Sequence, residues 1–281
     1  RRQRQMCIRD SLNTIIKTAS GIQEHYLESK QYFAENNIVG IFLQGSQNYG
    51  LETEDSDIDT KLITTPTLNE VIYNRQPMST THFRANKEHI DFKDIRLMFD
   101  TFRKQNLNFI EILFTNYKII NPMYKKEWEK LVAANEIIAH YNPYSAVKAM
   151  SGIALGKKYA LTKETEAHKD AFEKFSYDPK QLYQLVRIDE YLDKYIAGAP
   201  YKDCLCPANP QYLKDIKTGL YTREEAIKVA DEHMAHIDTI CVPYTKDSEF
   251  NCVNEEAESL LQEVQAEIVK KSLAFELEVS K

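Results

Sequence analysis

Asp57 and Asp59 are the residues best placed to do chemistry. They stand two apart in the stretch DSDIDTKLI. Side chains alternate faces along a strand, so both carboxylates project the same way, with Cα atoms roughly 6.5 Å apart, while Ile58 turns to the opposite face. Two carboxylates at that spacing can hold a pair of divalent cations about 3.5 to 4 Å apart, the geometry of two-metal phosphoryl chemistry. Upstream, an apolar run closes on Gln44-Gly45-Ser46. Gly45 permits a close backbone approach, and the amides that follow it, with the Ser46 hydroxyl, can donate to phosphate oxygens. Gly-Ser after a strand is often only a turn and D-x-D only a solvated strand end. A phosphate cradle directly beside a metal cradle is the informative combination.

A third carboxylate comes from EHIDF at 88–92. Read as a strand, this segment puts His89 and Asp91 on one face and Ile90 and Phe92 on the other. Asp91 is the candidate third ligand, completing the site on the acceptor's side and placed to take its proton. Asp94 is assigned the ordinary role of capping the helix that follows.

Gly45-Ser46, Tyr49-Gly50-Leu51 and Asp55-Ser56-Asp57-Ile58-Asp59 together resemble the signature of the DNA polymerase β superfamily of nucleotidyltransferases. The segments Asp91-Phe92-Lys93-Asp94-Ile95-Arg96 and Lys104-Gln105-Asn106-Leu107-Asn108-Phe109-Ile110-Glu111-Ile112-Leu113 resemble, more closely, the predicted nucleotidyltransferases of bacteria and their phages within that superfamily. The resemblance spans 39–115 and, more loosely, 179–191. It implies a small mixed sheet carrying the active site, two Mg2+ ions with Mn2+ able to substitute, and a nucleoside triphosphate (NTP) as donor substrate. Asp57, Asp59 and Asp91 would hold the metal, and the Gly45 amide and Ser46 the β and γ phosphates. Lys180 and Arg187 share a helix face with Gln184 between them, and the resemblance implies that they bind the triphosphate; a solvated charged face is the other reading. An acceptor hydroxyl or phosphate would attack the α phosphorus and expel pyrophosphate. The acceptor stays open between an RNA 3′ end, a protein and a small molecule. The alternative from another class is a catalytically inactive nucleotide-binding sensor or partner module of the same fold. Glu111, within the resembling segment, reads either as a solvent-facing or structurally bonded helix carboxylate or as part of the site.

These residues need a framework to position them. Residues 38–43 form an apolar, β-branched and aromatic run bounded by Asn37 and Gln44, a buried-strand pattern, and a second strand starts at Asp57. Residues 80–84 and 88–92 supply further strands, and 67–73 a short helix or loop. A helix over 12–36 puts Leu12, Ile15, Ile16, Ala19, Ile22 and Tyr26 at helical spacing against the sheet. Residues 94–105 are amphipathic, 108–114 form a short helix, and Pro122 opens a helix carrying Trp128. Helices over 143–163, 165–175, 179–197, 222–239 and 254–275 follow, with Pro179 and the Thr222–Glu225 pair as start signals. The fold class is therefore α+β, a small mixed sheet of the nucleotidyltransferase type with a helical C-terminal lobe. The chain divides into a catalytic domain over 12–120 and the lobe over 121–281.

Composition narrows the rest. The chain has 281 residues, 43% of them hydrophobic, and no segment is apolar over the length a membrane span needs. The five cysteines are odd in number and too few for a disulfide framework, which fits a reducing cytoplasm, and no secretory signal is read. Met6-Cys7-Ile8-Arg9-Asp10-Ser11 resembles the translation of a transposon adapter used in sequencing libraries, so 1–11 is read as a non-native start. Those eleven residues carry four Arg and one Asp, so a chain of net −6 leaves −9 for the remainder. That balance argues against a broad nucleic-acid-binding surface. Three rival sites are weaker. Leu51-Glu52 follows the Gly45-x4-Gly50 spacing where a P-loop needs Lys and Ser or Thr. Cys204, Cys206, His233 and His236 match no standard zinc spacing. The seven histidines suggest no particular Cys-His or Ser-His-Asp grouping.

Overall fold

The computed structural model describes residues 2–53, 56–86 and 88–279, with 2–13 and 167 by backbone alone. Asp55 of the acidic motif lies outside the described residues, as do Arg1 and the side chains of Cys7 and Leu12 within and beside the expected non-native start.

Five strands form one mixed sheet: β1 (Ile38–Gln44), β2 (Asp59–Thr64), β3 (Ser79–Phe83), β4 (His89–Asp94) and β5 (Lys118–Ile120), in the order β3-β4-β2-β1-β5. β2 and β4 run parallel, and the other neighbours are antiparallel. The register sets Asp59 beside Gln44 and Asp91 beside both Lys61 and Thr81. β1 is buried along nearly its whole length, as expected of a strand paired on both edges and covered on both faces.

Helix α1 (Arg2–Ser29) covers one face. Its Ile22 and Tyr26 pack with Ile41, Leu43, Leu62, Ile90 and Phe92. The opposite face, through Phe42 and Ile63, is continuous with the core of the helices. These are α3 (Ile95–Arg103), α4 (Leu107–Ile110), α5 (Lys125–Ala133), α6 (Asn135–Ala139), α7 (Pro143–Leu161), α8 (Lys169–Phe175), α9 (Pro179–Ile196), α10 (Tyr201–Leu205), α11 (Pro210–Lys217), α12 (Arg223–Lys246) and α13 (Glu255–Val279), while α2 (Leu68–Ile72) has no buried residue. Trp128 is buried in this packing, its ring centre 4.3 Å from that of Phe42. Among the described residues, no helix is long and apolar enough to cross a membrane.

The local signals act as read at several points. Asp94 caps α3 by accepting from the Arg96 amide, and Thr222 with Glu225 forms a capping box at α12. Other expectations are corrected. β2 begins at Asp59, not Asp57. α1 ends at Ser29 rather than at 36, followed by a turn and a short 3-10 stretch, Glu35–Asn37, that reverses the chain into β1. The expected stripe is buried only in part: Ile22 and Tyr26 face the sheet, but Ile15, Ile16 and Ala19 are exposed, while Thr18, His25 and Ser29 are buried. The reason is polar. His25 Nδ1 lies 2.9 Å from the Thr60 hydroxyl and its Nε2 3.1 Å from Glu88, so these bonds set the helix's rotation together with Ile22 and Tyr26. β5, α6, α10 and α11 were not foreseen. Each is eight residues or shorter, too short for periodicity to declare.

Candidate active site

The parallel pairing of β2 and β4 brings Asp59 and Asp91 to the same sheet face, the one that looks toward the helices. Asp59 opens β2, and its Oδ1 accepts from the His89 backbone amide at 3.1 Å and lies 2.8 Å from His89 Nδ1. That contact raises the His89 pKa, partly opposed by burial. The Gln44 amide nitrogen sits 3.1 Å from His89 Nε2 and donates to Asp91 Oδ2 at 3.3 Å. A neutral His89 protonated on Nδ1 satisfies every one of these contacts, linking the two carboxylates through one imidazole and one amide. His89 and Gln44 were not singled out as site residues. The alternation that placed His89 beside Asp91 was the available signal.

Asp91 is the more heavily supported carboxylate. Thr81 donates to Oδ1 at 2.7 Å, and Lys61 Nζ reaches Oδ2 at 3.2 Å. Burial alone would raise its pKa, but Thr81, Lys61 and Gln44 outweigh burial and hold the carboxyl below its usual range. It is accordingly a weak base at neutral pH. Lys61 is itself buried, its pKa lowered by burial against the pull of Asp91. Its ammonium and that of Lys93 lie 4.4 and 4.6 Å from the Phe109 ring centre.

Asp57 stands apart from this layer. It precedes β2, is exposed, and its backbone carbonyl accepts the Gln47 side-chain amide at 2.6 Å. Among the described residues, three potential ligand atoms come within 4.8 Å of one another only at Asp189, Asp193 and His236. Asp57, Asp59 and Asp91 form no such cluster, so the expected close constellation is not brought together.

Gly45 leaves β1 at φ +99° and ψ −159°, a conformation essentially reserved for glycine, and starts a 3-10 turn, Ser46–Tyr49. Added side-chain atoms would find room, the nearest being Gln47 Oε1 at 3.8 Å, so backbone conformation alone demands glycine. Gly50 closes the turn at φ +67°. Between them Ser46 is half-buried, and first-turn amides of such a segment lack partners within it.

Across from this turn, the Arg187 guanidinium lies 4.0 Å from the Tyr49 ring centre, and the Tyr49 hydroxyl donates to Glu111. Glu111 is fully buried, which pushes its pKa up to about 8 against the lowering effect of Arg187. It is structurally bonded and not solvent-facing. Lys180 stands exposed on the first turn of the same helix, its amide donating to Asp178. The rival zinc set does not assemble: His233 and His236 both direct Nδ1 to buried Asp189, at 2.6 and 2.8 Å, while Cys204 is buried and Cys206 exposed.

Carboxylate oxygens are the donors that a hard divalent cation takes. Asp57 has no side-chain partner among the described residues, and only one oxygen of Asp59 is engaged. Asp91 already accepts three hydrogen bonds, of the roughly four lone-pair sites a carboxylate offers, so it has little left to give a metal.

No family model and no curated protein matches the chain. Among solved structures it is similar to a nucleotidyltransferase-like protein from Exiguobacterium sibiricum 255-15, with TM-score 0.33 and 11% identity over 83% of this chain and 77% of that one. A likeness that low bears on neither activity nor substrate.

Proposed function

We propose that this chain is a metal-dependent nucleotidyltransferase that moves a nucleoside monophosphate from an NTP to an acceptor hydroxyl or phosphate. The observation that carries the reading is the presentation of Asp59 and Asp91 on one face of adjacent parallel strands, beside a strand end whose Gly45 has a conformation open to close backbone approach. Asp57 and Asp59 would hold Mg2+, with Asp91 at the edge of that set. Bound there, Mg2+ would supply charge neutralisation of the triphosphate and lower the pKa of the attacking hydroxyl. The Gly45–Ser46 turn holds the β and γ phosphates, and Arg187, with Lys180 further out, adds positive charge. The acceptor oxygen bonds to the α phosphorus as the α–β bridging bond breaks, and the charge passes to the departing pyrophosphate. The acceptor's proton leaves to solvent, because the Asp91 oxygens are already engaged by Gln44, Lys61 and Thr81. His89 and Gln44 keep the two inner carboxylates in fixed orientation throughout.

A second reading, NTP binding without transfer, draws on the Lys61–Asp91 pair, in which an ammonium group already sits where a third ligand would be needed. One experiment separates the two: purified protein with each α-labelled NTP, Mg2+, and a bacterial extract sorted into RNA, protein and small-molecule fractions. Metal-dependent label in one fraction, absent in Asp57→Asn/Asp59→Asn, supports transfer and identifies the acceptor class. NTP binding with no label in any fraction favours the second reading.

A further inference from the structure

Between α4, α7 and α9 lies a cavity of about 250 Å3 that the carboxylates and the glycine turn do not use. Met150 and Ile153 line it with apolar surface, while Asn108, Lys157, Gln184 and Arg187 contribute polar groups. The side-chain oxygen of Gln184 is buried and has no hydrogen-bond partner among the described residues. A buried acceptor left in that state is destabilising, a deficit that a ligand N–H would remove. Lys157 and Arg187 add positive charge to the wall. Exposed Lys180 stands close enough to Lys157 to help lower its pKa, although burial is the larger cause.

Two of the lining residues connect the cavity to the candidate active site. Arg187 stacks on Tyr49, the last residue of the turn that begins at Ser46. Asn108 is followed by Phe109, whose ring carries the Lys61 ammonium that pairs with Asp91. A ligand suited to this space has a flat head with apolar faces, an N–H-bearing edge and an anionic tail. A nucleotide has all of these.

We infer that this cavity receives the base of the donor nucleotide and that Gln184 is the residue that reads its hydrogen-bonding edge. The inference rests on the transferase reading and adds to it a specificity-determining residue and the place of the base. An amide can present either its oxygen or its nitrogen, so Gln184 enforces the presence of a complementary edge, and the shape of the apolar walls selects among bases that have one.

The test is a titration of each of the four NTPs and of inorganic tripolyphosphate, in Mg2+, into the wild-type chain, Gln184→Leu and Ile153→Trp. The wild type is expected to bind its preferred NTP at least about tenfold tighter than tripolyphosphate. Gln184→Leu should lose about tenfold of that preference, and Ile153→Trp, which fills the cavity, should abolish it. Tripolyphosphate should bind all three proteins alike, which also shows that the variants are folded. Variants that keep the wild-type preference among NTPs overturn the inference and leave the transferase reading standing. A wild-type chain that binds neither NTP nor tripolyphosphate overturns both.

Discussion

The Arg187 guanidinium lies 4.0 Å from the centre of the Tyr49 ring, joining helix α9 to the turn that begins at Ser46. Tyr49 in turn donates its hydroxyl to buried Glu111, so one aromatic ring ties three parts of the chain together. Arg187→Lys keeps the charge but loses the planar stack. It is expected to raise the KM for NTP roughly 2- to 30-fold, the span of a cation–π contact worth about 0.5 to 2 kcal/mol, with a smaller change in kcat. Steady-state kinetics check this, and an unchanged KM would remove Arg187 from the binding site.

The same ring has a pH signature. Glu111 titrates at about 8 in the folded chain against an ordinary 4.5, with Arg187 and Tyr49 against it and Tyr201 nearby. The folded state therefore holds a proton that the unfolded state has lost between these values. Its contribution to stability is fully present below pH 4.5 and declines as pH rises toward 8, by up to about 1.4 kcal/mol per pH unit. Glu111→Gln should flatten that part of the profile. Urea midpoints from pH 5 to 9 for both proteins measure it, and parallel profiles would contradict the assignment.

Asp91 and Lys61 form a part-buried pair at 3.2 Å. Asp91→Asn leaves a buried ammonium without its counter-charge, and with Asp91 partly solvated the expected loss is about 1 to 3 kcal/mol. Asp57 is exposed and its side chain has no partner among the described residues, so Asp57→Asn should change stability by no more than about 0.5 kcal/mol. Both substitutions should reduce transfer. Denaturant unfolding beside the transfer assay therefore distinguishes a residue that holds the sheet together from one that serves only the reaction.

The strands that carry Asp59 and Asp91 are legible in the sequence, for physical reasons that also mark the boundary. The strand before Gly45 is a β-branched and aromatic run closed by turn residues, and strand alternation alone puts Asp91 opposite Phe92. Lys61 is the overlooked signal: a lysine on the same strand face as Asp59, in an otherwise apolar and Thr-containing strand, needs a buried partner. The rotation of α1 is hidden because His25 finds Thr60 and Glu88 only once the sheet has formed. The Arg187–Tyr49 stack is hidden for the same reason, since it joins residues far apart in sequence.

Gly45 offers a direct test of the turn. At φ +99° a side chain is strained whatever space surrounds it. Gly45→Ala is expected to cost about 1 to 3 kcal/mol or to shift the turn. Either outcome should weaken tripolyphosphate binding. A variant with wild-type stability and wild-type tripolyphosphate affinity would show that the turn does not hold phosphate.

The most direct measurement of the central claim uses two labels on one NTP, at the α and the γ phosphate, with Mg2+ and the acceptor fraction. Nucleotidyl transfer predicts α label on the acceptor and γ label released as pyrophosphate, in equal amounts, both lost on chelation and in Asp59→Asn. Label from the γ position on the acceptor, or release of γ label as orthophosphate with no α label transferred, would contradict it.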